Sequence, residues 1–246
     1  MTEQELAGCF DHTFLKAWGT EADLEKLCAD AASIGAAMVA IHPYWTSFCK
    51  DRLKESGVHV GACIGFPLGQ NTLDVKEYET LDAIKNGADE IDYVINVGQA
   101  KEHNWDYIRK EMESLTKLCH DRDVLCKVIF ETCYLDDEEI AEIARIAREV
   151  KPDFVKTSTG FGTGGATVEH VRLMKQNAGP DVKVKASGGI RSWKDAKAML
   201  EAGAERLGTS ASLQILEEFK ASQEGEEAAP AENAEEAKET APGSDY

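Results

Sequence analysis

Eight short apolar or β-branched runs alternate with helix-period segments along 246 residues, and three of the helical segments end in a glycine that leads straight into the next run. These observations predict an α/β fold of the TIM (β/α)8 barrel class, because that closed architecture needs eight β-then-α units of roughly 30 residues each. The strand candidates are 9–13, 37–41, 58–65, 90–96, 124–131, 153–158, 182–187 and 206–209. Between the fifth and sixth of them, 136–150 sets Ile140, Ile143, Ala144, Ile146 and Ala147 in one stripe with its charges elsewhere, the period of an amphipathic helix. In SIGAAMVAI, KNGADEIDYV and EAGAERLGTS the glycine marks a helix end, where left-handed backbone is tolerated. A doubly wound open sheet is the alternative, but no G-x-G-x-x-G follows the first run. Beyond Phe219 the chain turns to Ala, Glu and Pro without aliphatic period. Residues 1–220 are therefore expected to form one barrel domain, and 221–246 a disordered acidic tail.

The formal net charge is −18, of which 221–246, with eight acids and one lysine, hold −7 and the rest of the chain −11. An acidic body argues against nucleic acid and anionic membrane as partners, since both need a basic face. A small anionic substrate would instead need a local cationic pocket. No run of about 18 apolar residues occurs, and the start MTEQELAGCF lacks the basic and apolar regions of a secretion signal, so a soluble, cytoplasmic protein is expected. The seven cysteines are an odd number with no C-x-x-C pair and lie inside periodic apolar segments. They read as buried reduced thiols, and no metal or cofactor site is expected.

Barrel strands alternate inward and outward residues, and the catalytic groups of such barrels sit at the strands' carboxyl ends. Four successive candidate strands each carry one ionisable residue of interest: Asp92 in EIDYVIN, Lys127 in LCKVIFE, Lys156 in DFVKTSTG and Lys185 in KVKASGG. A single strand lysine is usually a solvated group and a lone aspartate a turn cap. Three lysines and an acid on neighbouring strands have no such packing explanation, because unpaired buried charge costs several kcal/mol. Strands about 4.8 Å apart would bring Lys156 and Lys185 close enough for one to lose its proton and attack a carbonyl. The expectation is that Lys185 lowers the pKa of Lys156 and that Asp92 shuttles protons, directly or through water. Ser187-Gly188-Gly189 and Gly208-Thr209-Ser210 follow the last two runs and suit a phosphate cradle of backbone N–H groups at helix N-termini.

The segments DHTFL, GFPLGQNT with the following Lys76 and Glu77, DEIDYVINVG, CKVIFET, FVKTSTGFGTGGAT, VKASGGIR and RLGTS resemble the deoxyribose-phosphate aldolase family in order and spacing over about residues 7–219. The resemblance implies a class I aldolase that reversibly cleaves 2-deoxy-D-ribose 5-phosphate to D-glyceraldehyde 3-phosphate and acetaldehyde, with neither metal nor organic cofactor. It implies Lys156 as the Schiff-base residue, Lys185 as the second catalytic amine and Asp92 as the proton-relay partner. Asp11, Thr13, Lys127, Thr159 and Gly160 then line or orient the site, and Gly160, Gly188, Gly189, Gly208 and Ser210 hold the phosphate. The chain departs from some members by Phe161 where they carry a lysine, and by Ala211 where they carry a second serine. Some members end in a tyrosine after a flexible tail, which raises the expectation that Tyr246 enters the barrel mouth. The partners implied are a phosphorylated sugar and an aldehyde, and a homo-oligomer is left open. Another phosphosugar lyase or isomerase, or a non-catalytic barrel that binds a phosphometabolite, is the competing reading on the same fold.

Overall fold

The structure is a computed structural model and describes residues 1–223. Eight strands, β1 (Phe10–Thr13), β2 (Met38–Ile41), β3 (His59–Ile64), β4 (Glu90–Val94), β5 (Leu125–Ile129), β6 (Phe154–Lys156), β7 (Lys183–Ser187) and β8 (Arg206–Thr209), pair in sequence order. All pairs are parallel and β8 closes onto β1, so the barrel expected from the sequence is formed. Four of the eight expected runs, 58–65, 90–96, 124–131 and 153–158, extend past the observed carboxyl ends because those residues bend into the loops of the mouth. Asn96 caps the helix Val97–Lys101, and Glu131 takes left-handed backbone at φ 57°.

Strands buried on both faces carry apolar residues outward as well as charged ones inward. Val39, Ile91, Val128, Val155, Val184 and Leu207 face the helical ring and are fully buried. Helix Asp137–Val150 shows why the ring docks: its stripe Ile140, Ile143, Ala144, Ile146 and Ala147 is buried, and Asp136 starts it with a capping box to Glu139. Gly35, Gly87 and Gly203 at the three predicted joints all have positive φ. All seven cysteines are free; five are buried, while Cys9 and Cys133 are partly exposed.

One ion pair outside the barrel lumen ties the helical ring to β4. Lys76 and Glu111, both fully buried on helices Leu73–Lys85 and Trp105–His120, meet at 2.7 Å. Lys76 Nζ also donates to the Val94 carbonyl at 2.7 Å, and Glu111 accepts from the Asn96 N–H at 3.0 Å. The pair thus pins the carboxyl end of the strand that carries Asp92. Removing one member of such a pair strands the other charge, so Lys76→Ala is expected to cost about 3–5 kcal/mol. Denaturant unfolding measures this, and Lys76→Met/Glu111→Leu should recover most of the loss; a single variant as stable as the parent would refute the anchoring role.

The last described helix, Ser212–Gln223, runs three residues beyond the expected domain boundary at 220. The rest of the expected tail, 224–246 with Tyr246, lies outside the described residues. Among the described residues no helix is long and apolar enough to cross a membrane.

Candidate active site

Side chains that alternate along the strands fill the lumen in layers, as in other barrels, but here with charge in place of branched apolar groups. The floor takes Met38, Glu90, Phe154 and Arg206 from the even strands. Above it stand Asp11, Lys127 and Lys185 from odd strands, and above these Asp92 and Lys156. The register sets Asp92 opposite Lys127, Lys156 opposite Lys185 and Lys185 opposite Arg206. Gly208 on β8 leaves the lumen open there, since a Cβ would come within 3.1 Å of Lys185 Cε.

Asp92 is the hub. Its Oδ2 accepts from Lys156 Nζ at 2.8 Å and from Lys185 Nζ at 2.7 Å, while Oδ1 accepts from Lys127 Nζ at 2.7 Å. No water need intervene between Asp92 and either amine. Lys185 Nζ also meets Asp11 Oδ2 at 2.5 Å, and Arg206 binds the other Asp11 oxygen. Lys127 further contacts Glu90, which accepts from Arg206 at 3.2 Å and pairs with His59 at 2.8 Å.

Burial alone would raise the carboxyl pKa of Asp92 and Glu90, but Lys127 and the other cations hold both well below the usual carboxylate range. Burial works to discharge all three lysines. Against it, Asp92 and Glu90 push Lys127 up, and Asp92 keeps Lys156 above its ordinary value. For Lys185 burial prevails over Asp11 and Asp92, and its pKa falls. The expectation that Lys185 depresses Lys156 is therefore corrected: Asp92 holds Lys156 above its ordinary value, and it is Lys185 whose pKa falls, through burial first and then the charges of Lys156 and Lys127.

Asp92 and Glu90 also dictate acid behaviour. With folded pKa values depressed below unfolded values of about 3.9 and 4.3, their stabilisation is fully present above that range and is lost as pH falls through the folded values. Stability should decline from about pH 4 downward, and Asp92→Asn should flatten that decline; an equal acid slope in both proteins contradicts the assignment.

A cavity of about 300 Å3 opens above the cluster between the loops of β6, β7, β8 and β1. Thr13, Lys156, Thr159, Gly160, Gly188, Gly189, Gly208 and Ser210 all line it, so the structure gathers these expected site residues around one space. Lys156, 3% exposed, is the member of the lysine cluster at its wall; Lys127, Lys185, Asp92 and Asp11 lie beneath. Gly188 and Gly189 take φ of 87° and 81°, open only to glycine without strain, and so turn the backbone toward the cavity. The loop after β6 docks on this turn through the Ala166 N–H, which donates to the Ser187 and Gly188 carbonyls at 3.1 Å. Phe161 faces the cavity where a lysine would have supplied charge, and Lys16 and Arg191 line it as cations instead. A second cavity, about 420 Å3, lies across Thr159 and Phe161, and Lys156 does not reach it.

Several residues here went unread in the sequence. Glu90 and Arg206 share the inward period of Asp92 and Gly208, two positions away, which was the available signal. Glu131, in its left-handed conformation, accepts the Thr159 N–H at 3.1 Å and the Thr159 hydroxyl, and so shapes the rim. Its backbone gave no such signal. Among the described residues no group of three or more His, Cys, Asp or Glu side chains is arranged to hold a metal ion.

An amine at a cavity wall, joined to a second amine through Asp92 Oδ2, suits carbonyl chemistry. Residues 6–217 match the family described as DeoC/LacD family aldolase. The chain is similar to the deoxyribose-phosphate aldolase of Lactobacillus acidophilus, 52% identical over 219 residues that cover 89% of this chain and 92% of that protein. It is also similar to that of Thermococcus gammatolerans, 47% identical over 88% of this chain and 97% of that one. A solved structure described as a unique tetrameric structure of deoxyribose phosphate aldolase from Aeropyrum pernix superposes with TM-score 0.83 at 34% identity, covering 89% of this chain and 92% of that one. By its barrel, its lysine cluster and these likenesses, the chain belongs to the DeoC/LacD family of aldolases.

Proposed function

We propose that the protein cleaves 2-deoxy-D-ribose 5-phosphate reversibly to acetaldehyde and D-glyceraldehyde 3-phosphate through a Schiff base on Lys156. The observation that carries this reading is that Lys156 shares one cavity with the Gly188, Gly189, Gly208 and Ser210 backbone turns. A sugar with its phosphate on those N–H groups, helped by Lys16 and Arg191, presents its other end to the amine. The relatives' common name supports the same substrate.

The resting proton sits on Lys156 and Lys185 is the neutral amine, in line with the directions of their pKa values. Asp92 Oδ2, bonded to both, passes the proton from Lys156 to Lys185. Neutral Lys156 then attacks C1 of the open-chain aldehyde to give a carbinolamine. Lys185 returns the proton to the C1 hydroxyl, water leaves, and a cationic iminium remains. Its charge replaces that of the resting ammonium, so the cluster's total is unchanged. Neutral Lys185 next accepts the C3 hydroxyl proton, the C2–C3 pair flows into the iminium, and glyceraldehyde 3-phosphate departs. Protonation of the enamine at C2 by Lys185 and addition of water release acetaldehyde and restore Lys156. Asp92 is a poor base, since the cations beside it, Lys127 first, hold its charge, and its part is to bridge the amines.

Self-association also belongs to this reading, supported by the tetrameric relative, as do a role in deoxyribonucleotide breakdown and a cytoplasmic setting. The test is release of glyceraldehyde 3-phosphate from 2-deoxyribose 5-phosphate, compared with unphosphorylated 2-deoxyribose. Loss of the phosphate contacts, charge-assisted bonds of about 1.5–3 kcal/mol each, should lower kcat/KM at least about 100-fold. Equal rates would dismiss the phosphate cradle, and no release from either sugar would dismiss the reaction.

A further inference from the structure

The lumen holds an unequal number of charges. Three carboxylates, Asp11, Glu90 and Asp92, face four cations, Lys127, Lys156, Lys185 and Arg206, all in direct contact. A desolvated cluster with one cation in excess relaxes by releasing one proton. Arg206 cannot supply it, because a guanidinium stays charged in proteins. One of the three lysines must.

We infer that Arg206 is a positioning residue for the reaction: as the permanent fourth cation on the barrel floor, it obliges the lysine cluster above to keep one amine neutral. Its reach is indirect. The Arg206 guanidinium lies 14% exposed at the floor, bonds Asp11 Oδ1 and Glu90 Oε1, and leaves Asp11 Oδ2 to Lys185 and the second Glu90 oxygen to Lys127. Without Arg206, three carboxylates would match three ammonium groups, and Asp11 would be free to hold Lys185 in its charged form. The neutral base needed at each proton step would then be missing. This rests on the proposed Schiff-base reading, which it deepens.

The thiols facing the cluster do not change the count. Cys63 on β3 is a neutral thiol, pushed up to about 11 by burial, and Cys9 beside Arg206 is likewise raised by burial. His59 on β3 is half exposed and its pairing with Glu90 raises its pKa. A protonated His59 adds to the cation excess and acts in the same sense as Arg206. Lys183, Asp153, Asp181 and Glu205 border the floor opening beside Arg206, where water screens them.

The experiment records kcat/KM for sugar-phosphate cleavage against pH, with thermal unfolding, in four variants. Arg206→Met should lower turnover near neutral pH at least about tenfold and move the acidic limb up by about one pH unit. Arg206→Lys retains the charge and should leave the limb near that of the parent. Glu90→Gln, which makes the excess two, should move it down. Arg206→Met/Glu90→Gln restores an excess of one and should bring the limb back even if both single variants are less stable. A limb that stays fixed in Arg206→Met and Glu90→Gln, or follows thermal stability and not the charge count, would overturn the inference. A parent protein that releases no aldehyde at any pH would instead overturn the reaction proposed above.

Discussion

Lys185→Leu is expected to reduce turnover by at least about 100-fold with little change in KM. The amine lies beneath the cavity wall, away from the glycine turns proposed to hold the phosphate, so its loss leaves those binding contacts in place and removes the proton transfers at C1, C2 and C3. A leucine has room in the space cleared by Gly208. What disappears is the neutral base that takes the proton from Lys156 and later from the C3 hydroxyl. The variant also leaves three cations against three carboxylates, so Lys156 stays protonated to higher pH and the acidic limb moves upward. Steady-state kinetics across pH decide this: unchanged kcat with the parent's limb would remove Lys185 from the mechanism, and a loss carried by KM alone would make it a binding residue.

Asp92→Asn is expected to be as damaging and opposite in its pH signature. The change is nearly isosteric, yet it strips the one carboxylate that touches all three lysines. Four cations then face Asp11 and Glu90 alone, and breaking a buried charge network in this way costs about 3–5 kcal/mol of stability. Turnover should fall about 1,000-fold, since the bridge that passes the proton between Lys156 and Lys185 is gone. With two cations in excess, the lysines discharge more easily and the acidic limb moves down, against the upward shift in Lys185→Leu. Denaturant unfolding and pH–rate profiles on the two variants measure both effects; limbs that move in the same direction would contradict the charge count.

The period-two alternation of barrel strands made Asp92, Lys127, Lys156 and Lys185 legible, because an ionisable residue in an apolar strand must face either water or a partner. The same alternation reached Glu90 and Arg206, but both stand first in their strands, where a charge reads as a solvated end. Which amine is neutral was not legible. That order depends on which carboxylate oxygen each ammonium meets, and on Asp11, four strands away in sequence order from Lys127 and adjacent only once β8 closes onto β1. The glycine turns at the cavity were legible, whereas Lys16 and Arg191, which line the same cavity, sit in loops whose direction only the closed barrel fixes. The strands' amino ends were found to within a residue; the carboxyl ends of β3, β4, β5 and β6 were overrun, since the loops after them continue the runs.

The account turns on an imine at Lys156, and borohydride reduction in the presence of acetaldehyde tests it most directly, because only an imine is trapped as a stable ethyl adduct. Peptide mass mapping of the inactivated protein should place that ethyl group on Lys156, with Lys127 and Lys185 unmodified. Ethylation confined to surface lysines, or found on Lys185 in place of Lys156, would contradict it.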